Sequence, residues 1–285
     1  MAGPDFTAPT DPVCYRHPDR PTGIRCQRCK KPICGECMNP ASVGFQCPRC
    51  VAAGRETTRA PRIPFGAGLR SGGGIVTKVL MGILVATFLL DMPTGGLVSN
   101  TLAMAGYYID SGQFWRLLTY GLITTGSGSF FSILGLLMNL LVLWMAGRSL
   151  ESELGPVRFA ALYLLAGLGG ATVLYLVAPT NYAFAGSTAA LVGLLAANAI
   201  FKRRTGEDIR PDITLLVLLV LLNILAAFAS FGWIGVIGGI VVGAIAGATI
   251  AYAPRDRRGT WQAVGLGSVA AACLVAIAAK LVLFS

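Results

Sequence analysis

Seven stretches of the chain are apolar over most of their length, at 75–92, 130–146, 158–178, 183–201, 213–230, 233–252 and 261–284. About 20 apolar residues in a helix cross a hydrocarbon core about 30 Å thick, so each stretch is a candidate transmembrane span. The first is the least apolar, because it holds Lys78 and Asp91, yet charges near the end of a span reach the interface. Composition points the same way: 54% of the residues are hydrophobic and only 13% charged, where a soluble globular chain is about a quarter charged. Too little polar surface remains to face water. An ordinary soluble domain, a disordered chain, a collagen-like repeat and a disulfide-stapled secreted module are all excluded. The expected fold is an all-α polytopic membrane protein. Residues 1–12 contain no apolar core of the kind a cleaved signal carries, and residues 93–129 read as a long loop of mixed polarity lying on or partly in the membrane surface.

The net charge of +10 is mainly a statement about topology. Basic residues stay on the cytoplasmic side of short loops. With the N-terminus inside, 21 of the 23 Lys and Arg residues fall on that side and only Arg116 and Lys280 fall outside. The chain is therefore expected in the plasma (inner) membrane with its N-terminus cytoplasmic and its C-terminus outside. The basic residues are scattered over several loops rather than gathered on one face with stacking aromatics, so no nucleic-acid partner is expected.

Seven of the eight cysteines lie in the first 50 residues, as Cys14-x2-His17, Cys26-x2-Cys29, Cys34-x2-Cys37 and Cys47-x2-Cys50, and this run uses the one histidine of the chain. Two residues between ligands let both side chains turn onto one ion. Eight ligands then make two tetrahedral structural zinc sites, one of three cysteines and the histidine and one of four cysteines. A reducing cytosol argues against disulfides. The segment resembles a B-box-type cross-braced zinc finger, which implies that the first pair shares a metal with the third and the second with the fourth. Such modules also serve as docking surfaces, so a cytosolic protein partner is an expectation. The organisation reads as a tail at 1–12, a zinc module at 13–51, a flexible Gly/Pro-rich linker at 52–74, a six-span core at 75–252, and a loop with the seventh span at 253–285.

Ordered landmarks run through the core. Gly112-Gln113-Phe114-Trp115-Arg116-Leu117-Leu118-Thr119 is followed by Gly135 and Asn139 in the second span. Next come Leu150-Glu151 with Gly155 and Arg158-Phe159, then Gly186-Ser187-Thr188-Ala189 opening the fourth span, and Gly238-Gly239 with Gly243 in the sixth. This order and spacing resembles the rhomboid family of intramembrane serine proteases, whose plan includes six core spans with a seventh appended. The resemblance implies a nucleophilic hydroxyl at Thr188, with Ser187 the neighbouring alcohol one residue out of register, and an oxyanion-side role for Asn139. It places Val236 where the family has its general-base histidine and Gly135 where it has a second histidine. Neither residue can carry a proton. No Lys, Asp or Glu lies in the second, fourth, fifth or sixth spans to take over.

Three functions follow as expectations. The first is a pseudoprotease that binds transmembrane segments of client membrane proteins within the bilayer. The second is an active intramembrane serine-type endopeptidase using Thr188 or Ser187 without the usual histidine. A transporter is disfavoured, because the spans carry no internal charge pair. The glycines at 235, 239, 243 and 247 in the sixth span, with Gly186, Ala190, Gly193 and Ala197 in the fourth, read as smooth ridges for close helix packing rather than as ligands.

Overall fold

The computed structural model describes residues 12–57, 74–124, 129–185, 187–227, 231–254 and 257–284. It divides into two compact units, Met1–Pro61 and Arg62–Ser285.

The first unit is too small to build an apolar core. Its buried centre consists of cysteines gathered around Ile33, with Tyr15 and Met38 packed at the edge. Among its described residues, regular structure is limited to a 3-10 turn at Gly35–Cys37, a hairpin of β1 (Asn39–Pro40) and β2 (Phe45–Gln46), and one α-helix, α1 (Pro48–Thr57). Gly44 turns the hairpin at φ +67°, a conformation open to glycine without strain. Pro48 opens α1 at a position where a missing N–H removes no helical bond. The helix continues to Thr57, so the linker expected from residue 52 is helical over its first residues. Residues 1–11 and 58–73, assigned to the tail and the linker, lie outside the described residues.

In the second unit a helix stands at each of the seven expected spans. These are α2 (Ile75–Asp91), α6 (Phe130–Val142), α8 (Pro156–Val177), α9 (Thr188–Thr205), α10 (Arg210–Ala227), α11 (Gly232–Ala251) and α12 (Arg258–Phe284). α6 runs on through a π-helical turn at Leu143–Gly147 into α7 (Arg148–Leu154). Among the described residues four helical stretches are long and apolar enough to cross a membrane: Phe130–Leu154, Pro156–Val177, Gly232–Ala251 and Arg258–Leu283. α2 is 17 residues long, and α9 and α10 are 18 with charged ends, Lys202-Arg203-Arg204 on one and Arg210 with Asp212 on the other. The chain is an integral membrane protein.

The stretch expected as a loop before the second span is folded instead. It forms α3 (Leu97–Leu102), β3 (Met104–Ala105), α4 (Gly106–Asp110) and α5 (Arg116–Thr119). Buried Arg116 is the reason: its guanidinium donates to Asn100 O at 2.8 Å, Ala103 O at 2.7 Å and Gln113 Oε1 at 2.7 Å, and lies 3.7 Å from the Tyr108 ring centre. One planar cation with five donors thus satisfies the carbonyls of a segment too irregular to satisfy its own. β3 then pairs with β4 (Ala183–Phe184), fixing this segment beside the entrance to α9.

Helix ends are closed by side chains from distant positions. Glu151, buried in α7, accepts from Val76 N at 2.9 Å and from Thr77 N and Oγ1 at 2.8 Å, capping α2. Asn198 donates to Asp212 Oδ1 at 2.8 Å and Lys202 pairs with Oδ2 at 2.7 Å, joining α9 to α10. At the opposite end Lys280 donates to Tyr175 O, and the Tyr175 phenol donates to Asp110 at 2.6 Å. Arg148, Arg158, Lys202, Arg203, Arg204, Arg210, Arg257 and Arg258 therefore share one end of the bundle, and Arg116 and Lys280 share the other.

The centre is the triple contact of α8, α9 and α11. Gly239, Gly243 and Gly247 lie against Ala189, Gly193 and Ala197 in parallel steps of one helical turn, and a Cβ at Gly193 would stand 2.5 Å from the Gly239 carbonyl oxygen. A second seam joins α11 to α8, where a Cβ at Gly238 would be 2.5 Å from Gly169 O. Gly235 belongs to this second seam, facing Leu174, and Ala190 lies over Gly167 of α8. The ridge read as one row is therefore split between two neighbours. Gly186 lies outside the described residues.

Two glycine substitutions test this packing. Gly243→Val is expected to destabilise the bundle by about 3 kcal/mol or more, because the added atoms meet the backbone of α9 rather than a side chain that can move. Gly82→Ala in α2, whose Cβ meets nothing within 4 Å, should be neutral or slightly stabilising. Denaturant titration of both purified variants separates the outcomes, and equal stability would contradict the seam.

Candidate functional sites

The four cysteine-containing pairs meet as two groups, Cys14, His17, Cys34 and Cys37 in one and Cys26, Cys29, Cys47 and Cys50 in the other. The first pair joins the third and the second joins the fourth, the cross-braced arrangement that the resemblance implied. All ligand atoms of a group lie within 4.8 Å of one another. Nδ1 of His17 is 3.3 Å from Cys34 Sγ and 3.5 Å from Cys37 Sγ, and the Cys29 and Cys47 sulfurs are 3.7 Å apart. A tetrahedron with metal–sulfur bonds of about 2.3 Å and metal–nitrogen bonds of about 2.0 Å has edges of about 3.5–3.8 Å, so the donors fit a metal ion.

The protonation of the thiols agrees. Burial pushes Cys14 and Cys26 up, but backbone N–H groups outweigh it and bring both down to about 6. Burial and neighbouring thiols drive Cys37 up to about 11, while a hydrogen bond with Cys47, then burial, drives Cys50 up to about 12. Crowded thiols cannot all ionise alone, whereas a dication in their midst supports every thiolate. No disulfide joins the described cysteines. With four protein ligands around each ion there is no open position for water, so the sites are structural.

The second site lies where α6 meets the start of α9. Ser187, immediately before α9, is fully buried, and its hydroxyl accepts from Asn139 Nδ2 at 3.1 Å. Its own N–H donates to Ile123 O at 3.2 Å. Thr188 is half-buried, and its hydroxyl has no partner among the described residues. The structure thus brings Asn139 to Ser187 and not to Thr188. Val236 is buried on α11 one turn before Gly239, level with the start of α9 by the parallel packing of the two helices. Gly135 sits one turn before Asn139, and a Cβ there would meet nothing within 4 Å.

What this arrangement can do is set by its proton acceptors. The one histidine of the chain, His17, is a ligand in the first metal group, in the other unit. The nearby phenols of Tyr120 and Tyr163 are buried and each donates at 2.7 Å, to Gly167 O and Gly121 O. A hydroxyl, an amide donor and a helix N-terminus are therefore together, without an imidazole or carboxylate bonded to that hydroxyl among the described residues. The sequence names Ser187, Asn139, Val236 and Gly135, but not the Asn139–Ser187 bond, because motif alignment places the hydroxyl at Thr188. It shows Arg116 and Glu151 only as landmarks. Their buried charges in an apolar chain are the available signal that each holds a backbone segment.

Residues 111–253 match the Rhomboid domain, half of the chain, so the chain belongs to the rhomboid family. It is similar to the rhomboid protease GluP of Bacillus subtilis (strain 168), with 34% identity over 114 residues. That is 39% of this chain and 21% of the relative, so the chain spans about a fifth of the length of the curated relative it matches.

Metal removal tests the first site. The purified protein should carry two metal ions per chain, and Cys34→Ser should lose one of them while Cys47→Ser loses the other. Chelation should unfold the cysteine unit and leave the helical core intact. Well under one equivalent in the unmodified protein would contradict the assignment.

Proposed function

We propose that this protein is a rhomboid-fold pseudoprotease, which holds transmembrane segments of client membrane proteins within the bilayer without cutting them. The observation that carries this reading is the company of Ser187: an amide donor from Asn139, buried Val236 across from the start of α9, and no His, Asp, Glu or Lys in the apolar stretches 130–146, 183–201 and 233–252. A hydroxyl attacking a peptide carbonyl must pass its proton to a base, and losing that base removes several orders of magnitude from a serine hydrolase. Client binding draws support from the stretch Phe130–Leu154, which is less buried than α8 and leaves Phe131 and Leu137 of α6 and Trp144 of the π-helical turn exposed.

The second reading, an active serine endopeptidase, has one observation in its favour: Ser187 is a primary alcohol at a helix N-terminus, held by Asn139 in a family whose members include a protease. One experiment decides between them. The unmodified protein should not cleave transmembrane substrates of active rhomboids and should not react with a fluorophosphonate. Cleavage that disappears in Thr188→Ala or in Ser187→Ala would establish the protease and also its register. Thr188→Ser combined with Val236→His and Gly135→His serves as the positive control, since position 135 has room for a side chain.

We also propose that the N-terminus is cytoplasmic and the C-terminus outside, a reading supported by the segregation of basic helix ends. A probe at Asn100 should be reached from outside and one at Thr205 only after permeabilisation. The reverse would invert the topology. Zinc is the metal best suited to one donor set of three sulfurs with an imidazole nitrogen and another of four sulfurs. Elemental analysis finding iron in its place would overturn that assignment.

A further inference from the structure

We propose that the cysteine unit docks on the surface of an anionic phospholipid bilayer through its hairpin tip and the cationic face beside it. Val43, in the turn between β1 and β2, is 77% exposed, the highest value of any large apolar residue among the described residues of the unit, and Phe45, two residues on, is exposed as well. Next to the hairpin lies a depression of 370 Å³ lined by Tyr15, Arg28, Lys31 and Arg49 among the metal-binding cysteines. The two features form one surface: Gln27 N donates to Phe45 O at 2.9 Å, Arg28 follows it, and Cys47, two residues past Phe45, lines the depression. No Asp or Glu lines it, the ligand sulfurs of Cys29, Cys47 and Cys50 share the lining with the metal they would hold, and none of Arg28, Lys31 and Arg49 makes an ion pair with a carboxylate of a described residue. Glu36, one of three acids among the described residues of this unit, is taken by Arg20 at 2.7 Å.

An exposed apolar tip flanked by cations without acidic partners is what an anionic interface accepts, the apolar group entering the head-group layer and the cations meeting phosphates. RNA fits less well. Single-stranded nucleic acid needs a row of aromatic faces for stacking, and among the described residues of this unit Tyr15 and Phe45 are the only Phe, Tyr or Trp. A bilayer is also permanently at hand, because the 17 residues between Thr57 and the start of α2 reach at most about 60 Å. Tethering of that kind makes even a weak surface affinity effective. The surface expected to meet a soluble protein is thus assigned to the lipid surface.

The test uses the full-length, metal-loaded protein in nanodiscs, with hydrogen exchange read at the hairpin amides of residues 41–46. In phosphatidylglycerol-rich discs these amides should exchange about tenfold or more slowly than in discs of phosphatidylcholine alone, and high salt should abolish the difference. Arg28→Gln, Lys31→Gln and Arg49→Gln together should return exchange in the anionic discs to the neutral-disc rate while both metals are retained. Val43→Ser should shorten the protection without removing the salt dependence. Equal exchange in the two disc types would overturn the proposal. So would protection that ignores lipid charge and arises only on adding an RNA oligonucleotide or a soluble protein.

Discussion

The close approach of three backbones at the centre of the second unit is the constraint on which the rest of the structure depends. Between helices in lipid there is no hydrophobic drive, so association rests on contact area, and contact area rests on removing side chains. Gly193, Gly239 and Gly243 let α9 and α11 meet backbone to backbone, and Gly169 with Gly238 does the same for α8 and α11. Because α9 and α11 run parallel in steps of one turn, the start of α9 and the first turns of α11 are held at one depth. Everything proposed for the site follows from that registration, since it is what sets Ser187 and Val236 at the same level. The outer helices then attach with the help of polar clamps, among them Glu151 for α2, Asp212 for α10, and Lys280 with Gln262 for α12.

The same registration makes the missing base decisive. In a water-filled site a solvent molecule accepts a proton, but Ser187 is fully buried and its hydroxyl is already engaged by Asn139. The amide can only donate to that oxygen, which stabilises a developing oxyanion or simply fixes the side chain, and it cannot remove the proton. A scaffold with a donor and no acceptor is the basis of the proposal that a transmembrane segment is held here without being cut. The metal-binding unit is independent of this chemistry. Its two groups of four ligands each fit one ion with no position left open, and the small buried centre around Ile33 is built of those same cysteines.

Much of this is legible in the sequence, and the reasons are physical. The seven long helices, four of them long and apolar enough to cross a membrane, are visible because lipid allows few polar residues in a crossing helix, and the metal-site residues because two-residue spacing leaves few other uses for paired cysteines. The cross-bracing agrees with the family likeness of the segment. What the sequence hides is register across space. A motif alignment sets the hydroxyl at Thr188 through the distance to Gly193, yet the turn before α9 presents Ser187 to Asn139, and a turn is not a property of spacing. The glycine row of α11 reads as one ridge because a four-residue period describes one face, whereas Gly235 faces α8 and Gly239 faces α9. The segment before α6 reads as a loop because its helices are only four to six residues long and depend on Arg116, whose partners lie 13 and 16 residues away.

Retention of a client without cleavage is tested most directly by capture in the membrane. A photoreactive residue in place of Leu137, on the outward face of α6, should crosslink in cells to membrane proteins recovered at their full length, with the same products in Ser187→Ala and Thr188→Ala backgrounds. Crosslinked partners recovered as fragments in the unmodified protein and intact only in one of those backgrounds would contradict it.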